Sequence, residues 1–181
     1  MKVPSLIKFL TSFGNQVVRD SQNLLKKEKG ETALGKSIRF EVVAEEMGYA
    51  TNFYMEDYGE YLDQGVSGNK KKRSYTTYLG SSKASPYSYT TKGPPIDILS
   101  KWIKKKGIEP KGLCRGISKK TGQYISGFAY LISKKIKREG IKSLSFFQIP
   151  LGVGYKNLQN NLLKELKVDI RHYITEYYRP K

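Results

Sequence analysis

Residues 30–37 read GETALGKS, which is the first segment of this chain that resembles a ligand-binding motif. They match the pattern GxxxxGKS, in which backbone N–H groups and a lysine cradle phosphates and the final hydroxyl binds Mg²⁺. That chemistry requires a buried strand before the loop and a helix after it, so that the helix N-terminus faces the phosphate. Here the polar stretch LLKKEKG precedes the loop and the strand-like stretch IRFEVV follows it. The order is inverted, and a nucleotide-dependent enzyme is the weakest of three hypotheses that the sequence leaves open.

Other catalytic or metal-binding arrangements have still less support. His172 is the only histidine and Cys114 the only cysteine, which excludes a multi-histidine metal site, a cysteine metal cage and an internal disulfide. Seven carboxylates lie close together in sequence and could hold a divalent ion, although surface charge on a hairpin is the commoner explanation: Glu41, Glu45, Glu46, Glu56, Asp57, Glu60 and Asp63. The sequence therefore predicts no catalytic centre, no metal site and no cofactor.

Positive charge is concentrated in the middle of the chain. The 181 residues carry 33 Lys and Arg against 16 Asp and Glu, a net charge of +17. Residues 65–140 hold 18 of the basic and 3 of the acidic side chains, whereas residues 1–64 are slightly acidic. Such a field concentrates polyanions or an acidic protein partner near the middle segment, although scattered lysines also serve solubility.

A long basic loop is predicted at residues 65–95, which contain six basic residues and no acidic one. Loops of this length inside a compact domain are usually functional or disordered. Lysines can neutralise phosphates and tyrosines can stack on bases, so this loop could face DNA, but it could equally reach a neighbouring subunit. The candidate partner-binding or DNA-facing residues are Lys70, Lys71, Lys72, Arg73, Tyr75, Tyr78, Lys83, Tyr87, Tyr89 and Lys92.

Several regular elements must position this loop. Apolar residues at three- and four-residue spacing from Val3 to Leu24 predict a long amphipathic helix that ends near Gly30. Alternation at residues 38–43 and 49–56 predicts a β-hairpin that turns at residues 45–48. Consecutive prolines at 94 and 95 open a short helix that Gly107 closes.

The C-terminal half is predicted to contain two more helices with a strand between them. Residues 118–140 form the first helix, with Lys134, Lys135, Lys137 and Arg138 facing outward. Residues 143–149 (SLSFFQI) read as a buried strand that Pro150 stops, and residues 156–178 as a second amphipathic helix. The predicted fold is α+β, a small, mostly antiparallel sheet packed against amphipathic helices. One domain spans residues 1–155, with the loop at 65–95 inserted, and the C-terminal helix occupies 156–181.

A sharp corner joins the hairpin to the basic loop. Asp57 is placed to cap a short helical turn whose third residue is Glu60, with Tyr58, Tyr61 and Leu62 turned inward. Gly65 is expected to end that turn. The predicted structural residues of the corner are Asp57, Tyr58, Tyr61, Asp63 and Gly65.

No membrane association is expected. The N-terminal apolar stretch is interrupted by Lys8 and lacks a small-residue cleavage site, so it does not read as a signal peptide. No window approaches 18 apolar residues, which a membrane-spanning helix would need.

The order of these pieces over residues 1–150 resembles the head–tail joining proteins of tailed bacteriophages, in particular the neck or tail-completion group. The pieces are an N-terminal helix and four later stretches: TALGKSIRFEVV, NFYMEDYGEYLDQGVSG, PPIDILSKWIKKKGI and FAYLISKKIKREGIKSLSFF. The matching positions are Leu34, Ser37 and Ile38 in the first strand, Tyr58, Tyr61 and Gly65 in the corner, and Trp102, Ile103 and Ile108 in the following helix. The long basic loop and the extended C-terminal helix depart from the family pattern.

The resemblance implies a non-enzymatic virion subunit assembled in the host cytoplasm. It would form a ring, often of twelve copies, between the portal and other neck or tail proteins, with non-specific contact to the DNA that crosses the channel. The alternative from composition is a DNA-binding protein that uses the basic tyrosine-rich loop and the basic helix.

Overall fold

The computed structural model describes residues 4–46, 48–108, 115–117 and 124–177 and confirms the predicted α+β class. The chain divides into two compact units. Unit 1 holds Met1–Asp63, Thr76–Ser82 and Leu144–Lys181, and unit 2 holds Gln64–Tyr75 and Lys83–Ser143. The boundary predicted after residue 155 falls inside a helix of unit 1.

Two long helices form the frame of unit 1. Helix α1 (Pro4–Lys29) packs along helix α6 (Gln148–Tyr177). Ser5 at the start of α1 bonds Asp169 near the end of α6, while Gly154 near the start of α6 lies against Phe13 and Val17. The two helices are therefore antiparallel, and the missing side chain of Gly154 lets them approach closely.

A hairpin packs against this helix pair. The five-residue helix α2 (Ala33–Ser37) follows α1 and leads into strands β1 (Arg39–Glu45) and β2 (Gly48–Tyr54), which pair in antiparallel register from Arg39 with Tyr54 to Glu45 with Gly48. The predicted N-terminal helix (α1) and the predicted hairpin (β1 and β2) are confirmed. Met47 of the predicted turn lies outside the described residues. The ring of Phe53 makes edge contacts with Phe13 and Phe147, at centroid separations of 5.9 and 5.4 Å.

The core of unit 1 lies between these elements. Its buried members come from α1, α2 and the segments next to β1 and α6: Leu25, Leu34, Ile38 and Phe146. Each is 3% exposed or less, so burial of these four side chains is a main source of stability, at about 1.5–3 kcal/mol for each fully buried side chain. The short helix α3 (Gly59–Gln64) adds the partly buried Leu62 to this cluster.

Unit 2 contains short strands and two helices. Strand β3 (Val66–Ser67) pairs antiparallel with β8 (Gly140–Ile141), and β6 (Arg115–Ile117) pairs antiparallel with β7 (Tyr124–Ser126). Helices α4 (Ile96–Lys105) and α5 (Gly127–Glu139) pack together. Strands β4 (Ser74–Thr76) and β5 (Ser82–Ala84) form a further pair within the segment predicted as a loop.

Three element predictions are wrong. Residues 143–149 are not a strand, because Phe146 and Phe147 form a turn and α6 already begins at Gln148. Pro150 therefore lies in the first turn of α6 instead of stopping a strand, since its missing N–H is not needed there. The helix predicted from residue 118 begins only at Gly127, and residues 118–123 lie outside the described residues.

The short helix after the two prolines is confirmed, with Pro95 at its N-cap and Gly107 in the left-handed region at φ 64°. Of its apolar positions only Ile103 is buried, whereas Ile98 and Trp102 are 64% and 45% exposed. No helix within the described ranges is long and apolar enough to cross a membrane.

Candidate functional site

The corner is organised around the buried carboxylate of Asp63, which is 3% exposed. Its Oδ1 accepts the backbone N–H groups of Phe147 and Gln148, at 2.8 and 3.4 Å. Gln148 is the first residue of α6 and Phe147 directly precedes it, so the carboxylate lies at the N-terminus of that helix and faces the positive end of its dipole. Burial raises the pKa of Asp63 above its ordinary value, although the two backbone amides oppose that shift. The backbone just before these two amides is strained at Ser145, a non-glycine residue with φ 46°.

Gly65 ends α3 as predicted, with φ 72° in the left-handed region. A Cβ at this position would lie 2.7 Å from the backbone nitrogen of Ser143 and 2.8 Å from the carbonyl oxygen of Ile141. Its carbonyl accepts a hydrogen bond from the hydroxyl of Ser85 at 2.7 Å. Only glycine satisfies both the backbone angle and the space at Gly65.

Other corner predictions are corrected. Tyr58 and Tyr61 do not turn inward but are 44% and 45% exposed. Asp57 is also exposed, and α3 begins two residues later at Gly59, where a Cβ would press on Met55 and Leu34. Asp63 is buried in this turn, whereas the two tyrosines are exposed.

The first part of the basic loop, residues 68–73, packs against the C-terminal end of α5. Asn69 N–H donates to Lys137 O and Lys70 N–H donates to Arg138 O, both at 3.0 Å. A Cβ on Gly68 would collide with the carbonyl of Arg138, so glycine permits this docking. The half-buried Arg73 fixes the next residues, because its Nε donates to Glu139 O at 2.8 Å.

The remaining candidate residues fall into two groups. The lysines are exposed at all five positions: Lys70, Lys71, Lys72, Lys83 and Lys92. Tyr75, Tyr87 and Tyr89 are half-buried, and burial raises the pKa of Tyr89. Tyr78 lies in unit 1, where its ring meets the edge of Tyr155 at 5.7 Å. The tyrosines are thus used largely for packing and do not form a row of free stacking surfaces.

A basic groove results from the docking of residues 69 and 70 on α5. It encloses about 520 Å³ and is lined by Asn69, Lys70, Leu131, Lys134, Lys135, Lys137 and Arg138. Five of these seven residues are basic and none is acidic. The ammonium of Lys134 lies 5.6 Å from the ring centre of Tyr130, a cation–π contact.

Sequence reasoning found only half of this groove. The four basic residues of α5 were expected to face outward, and Lys70 was a loop candidate, but their juxtaposition was not predicted. The partners are more than 60 residues apart, and a pattern of charges along the chain carries no signal for backbone hydrogen bonds between distant segments. Asn69 and Leu131 were missed for the same reason.

The segment at residues 30–37 lies between helix α1 and strand β1, as the sequence predicted, and it contains the short helix α2. Helix α2 has five residues and is capped by Thr32, whose hydroxyl accepts the N–H of Gly35 at 3.1 Å. Lys26 and Glu31 form an ion pair at 3.0 Å beside it. A small cavity of about 200 Å³ lies here. However, helix α1 precedes the segment where the phosphate-binding motif needs a strand, and strand β1 follows it where the motif needs a helix, so backbone N–H groups are not aimed at a phosphate.

Among residues 4–46, 48–108, 115–117 and 124–177, no three His, Cys, Asp or Glu side chains are grouped so that they could hold a metal ion. The hairpin carboxylates are instead spread over exposed positions, with Glu41, Glu45 and Glu56 all exposed. Cys114 lies outside the described residues.

Unit 1 carries apolar side chains that the chain itself leaves uncovered. Leu163, Ile170 and Ile174 are 66%, 42% and 51% exposed on α6. Their spacing of seven and four residues places them on one side of the helix, and we call them the α6 row. Leu79, at the tip of the β4–β5 ribbon, is also 66% exposed.

No protein-family model, curated protein or solved structure matches this chain.

Proposed function

We propose that this chain is a structural, non-enzymatic subunit of the head-to-tail connector of a tailed bacteriophage. Twelve copies would form a ring between the portal and the tail, around the channel that DNA crosses, in a particle assembled in the host cytoplasm. The proposal is supported by the order of sequence elements that resembles the neck and tail-completion proteins. It is also supported by the structural roles of Gly65 and Ile103, two positions that carry the resemblance.

The observation that carries the proposal is the α6 row. Three large aliphatic side chains on one side of a helix are 42–66% exposed, which favours association with another apolar surface. Burying a fully exposed Leu or Ile contributes about 1.5–3 kcal/mol, and these side chains retain roughly half of that potential. A ring interface could use this contribution against the entropic cost of association.

The first test is quantitative mass spectrometry of purified particles from the source phage, with this chain scaled against the portal protein. Copy numbers that are equal within error support a connector ring. Absence of the chain from the particle would overturn the proposal and would favour an intracellular DNA-binding protein.

A second test addresses the α6 row itself by sedimentation velocity of the purified chain over a range of concentrations. We expect Leu163→Ser to raise the concentration needed for assembly by about tenfold, corresponding to about 1.4 kcal/mol. Val168→Ser is the matched control, because Val168 is 55% exposed but lies about 140° around the helix from Leu163. Equal effects of the two substitutions would contradict the assignment of this interface.

A further inference from the structure

We propose that the basic groove of unit 2 binds the phosphate backbone of duplex nucleic acid without reading its sequence. Such binding does not depend on the chain being a connector subunit. Its physical basis lies in the charge, the polarity and the fixed geometry of the groove.

The groove brings together positive charges that repel one another. Lys134, Lys135 and Arg138 lie near the C-terminal end of α5, where the helix dipole favours cations, and the dipole alone could explain them. It does not explain Lys70, which a separate segment places beside them through a backbone hydrogen bond to Arg138. Like charges that are brought together from distant parts of a chain raise the free energy of the fold unless an anion neutralises them.

The neighbouring carboxylate, that of Glu139, already forms an ion pair. It pairs with Arg138 at 2.8 Å, and this hydrogen bond lowers the pKa of Glu139, helped by the charges of Lys135, Arg138 and Lys71. One carboxylate thus sits in the field of several cations. Lys137 is also engaged, since its Nζ donates to Thr91 O at 2.7 Å. Lys70, Lys134 and Lys135 remain exposed and are the groups expected to contact phosphates.

The composition of the groove favours nucleic acid over an acidic protein. Protein interfaces are depleted in lysine and enriched in aromatic residues, whereas this lining has four lysines and Leu131 as its single apolar side chain. Phosphate contacts from lysine carry affinity without sequence information. We therefore expect sequence-independent binding that weakens steeply with salt.

The same lining favours duplex over single strands. Single-strand binding sites combine basic residues with aromatic rings on which bases stack, and no aromatic residue lines the groove. Tyr75, Tyr87 and Tyr89 of the nearby segment are partly covered by packing. The nearby ring of Tyr130 already holds the ammonium of Lys134, and a set of cations whose own lining contains no aromatic ring fits a double-stranded backbone.

The test is fluorescence anisotropy of the full chain with a mixed-sequence duplex of about 30 base pairs, over about 50–200 mM salt. The groove variant is K70Q/K134Q/K135Q. The control variant K156Q/K164Q/K167Q removes the same charge from exposed positions of α6 in unit 1. Because each phosphate contact contributes about 0.9 to the slope of log K against log salt, we expect the groove variant to reduce that slope by about 2.7 and the control by less than 1.

Three results would overturn the proposal. The first is equal weakening by the two variants, which would assign binding to net charge alone. The second is tighter binding of a single strand than of the duplex, and the third is no duplex binding by the unmodified chain at the lowest salt. Circular dichroism checks that both variants fold.

A second measurement needs no variant. Acetylation of lysines in the unmodified chain, read by mass spectrometry, should slow at Lys70, Lys134 and Lys135 when duplex is added and stay unchanged at Lys156 and Lys167. Uniform protection of all five would also overturn the proposal. Neither experiment depends on the particle composition that tests the connector, so the two proposals can fail separately.

Discussion

Removing the carboxylate of Asp63 should destabilise unit 1, because this buried group caps the longest helix of the chain. In Asp63→Ala the N–H groups of Phe147 and Gln148 lose the acceptor that lies 2.8 and 3.4 Å away. Loss of a helix N-cap costs about 0.5–2 kcal/mol, and leaving a buried donor unsatisfied costs about 1–3 kcal/mol. Since Gln148 is only half-buried and water can reach it, we expect a loss of about 2–4 kcal/mol in the free energy of unfolding.

Urea unfolding followed by far-ultraviolet circular dichroism measures this loss, since α1 and α6 contribute 26 and 30 helical residues to the signal. With a urea dependence of about 2 kcal/mol per molar, the midpoint should fall by about 1–2 M. The matched control is Asp57→Ala, which removes an exposed carboxylate six residues earlier and should change stability by less than about 0.5 kcal/mol. Equal midpoints for the two variants would refute the capping role.

The pH dependence of stability distinguishes the contribution of Asp63 as a hydrogen-bond acceptor from the contribution of its negative charge. Burial raises the pKa of Asp63 in the folded chain above its ordinary value of 3.8. A raised folded-state pKa means that this group's contribution is present below pH 3.8 and is lost as the pH rises through the folded-state value. Asp63→Asn keeps an acceptor and carries no charge, so it should cost less than Asp63→Ala at pH 7. Stability of the unmodified chain relative to Asp63→Asn should fall as the pH rises from about 4 to 7, and a rise would contradict the sign of the shift.

Three other predictions concern the α1–α6 helix pair and the segment at residues 30–37. Asp169→Asn should cost about 1–2 kcal/mol at pH 7, since the carboxylate accepts the amides of Ser5 and Leu6 on separate oxygens and an amide side chain has one oxygen. Desolvation raises the pKa of Asp169, but the amides of Ser5 and Leu6 and the charge of His172 outweigh it, so the pKa is lowered. This stabilisation should therefore disappear as the pH falls through and below 3.8. A stability difference from the parent that persists at pH 2 in urea unfolding would contradict this prediction. Gly154→Ala should cost about 1–3 kcal/mol by thermal unfolding, because its Cβ would lie 2.8 Å from the nearest ring atom of α1, whereas a neutral effect would show that the helices move apart freely. Lys36→Ala should leave calorimetric titration with ATP unchanged, and ATP binding by the parent that this substitution abolishes would revive the nucleotide hypothesis.

Local chemistry made the helices and the hairpin predictable. The three- and four-residue spacing in α1, the alternation in β1 and β2, and the glycine after α3 each depend on residues close in sequence. The same signals misplaced the start of α6. The apolar run at 143–149 is compatible with a buried strand or with a core turn, and the choice depends on Asp63, which is about 80 residues away and caps the helix at Gln148.

Composition and short-range periodicity were enough to predict the α+β class, helix α1, the β1–β2 hairpin and the positive charge of the middle segment. The caps that Asp63 and Asp169 form at opposite ends of the α1–α6 pair, and the docking of residues 69 and 70 on α5 that forms the basic groove, became visible only in the folded chain. Each of these arrangements is a hydrogen bond between segments far apart in sequence, and such a bond exists only once packing has brought its donor and acceptor within about 3 Å.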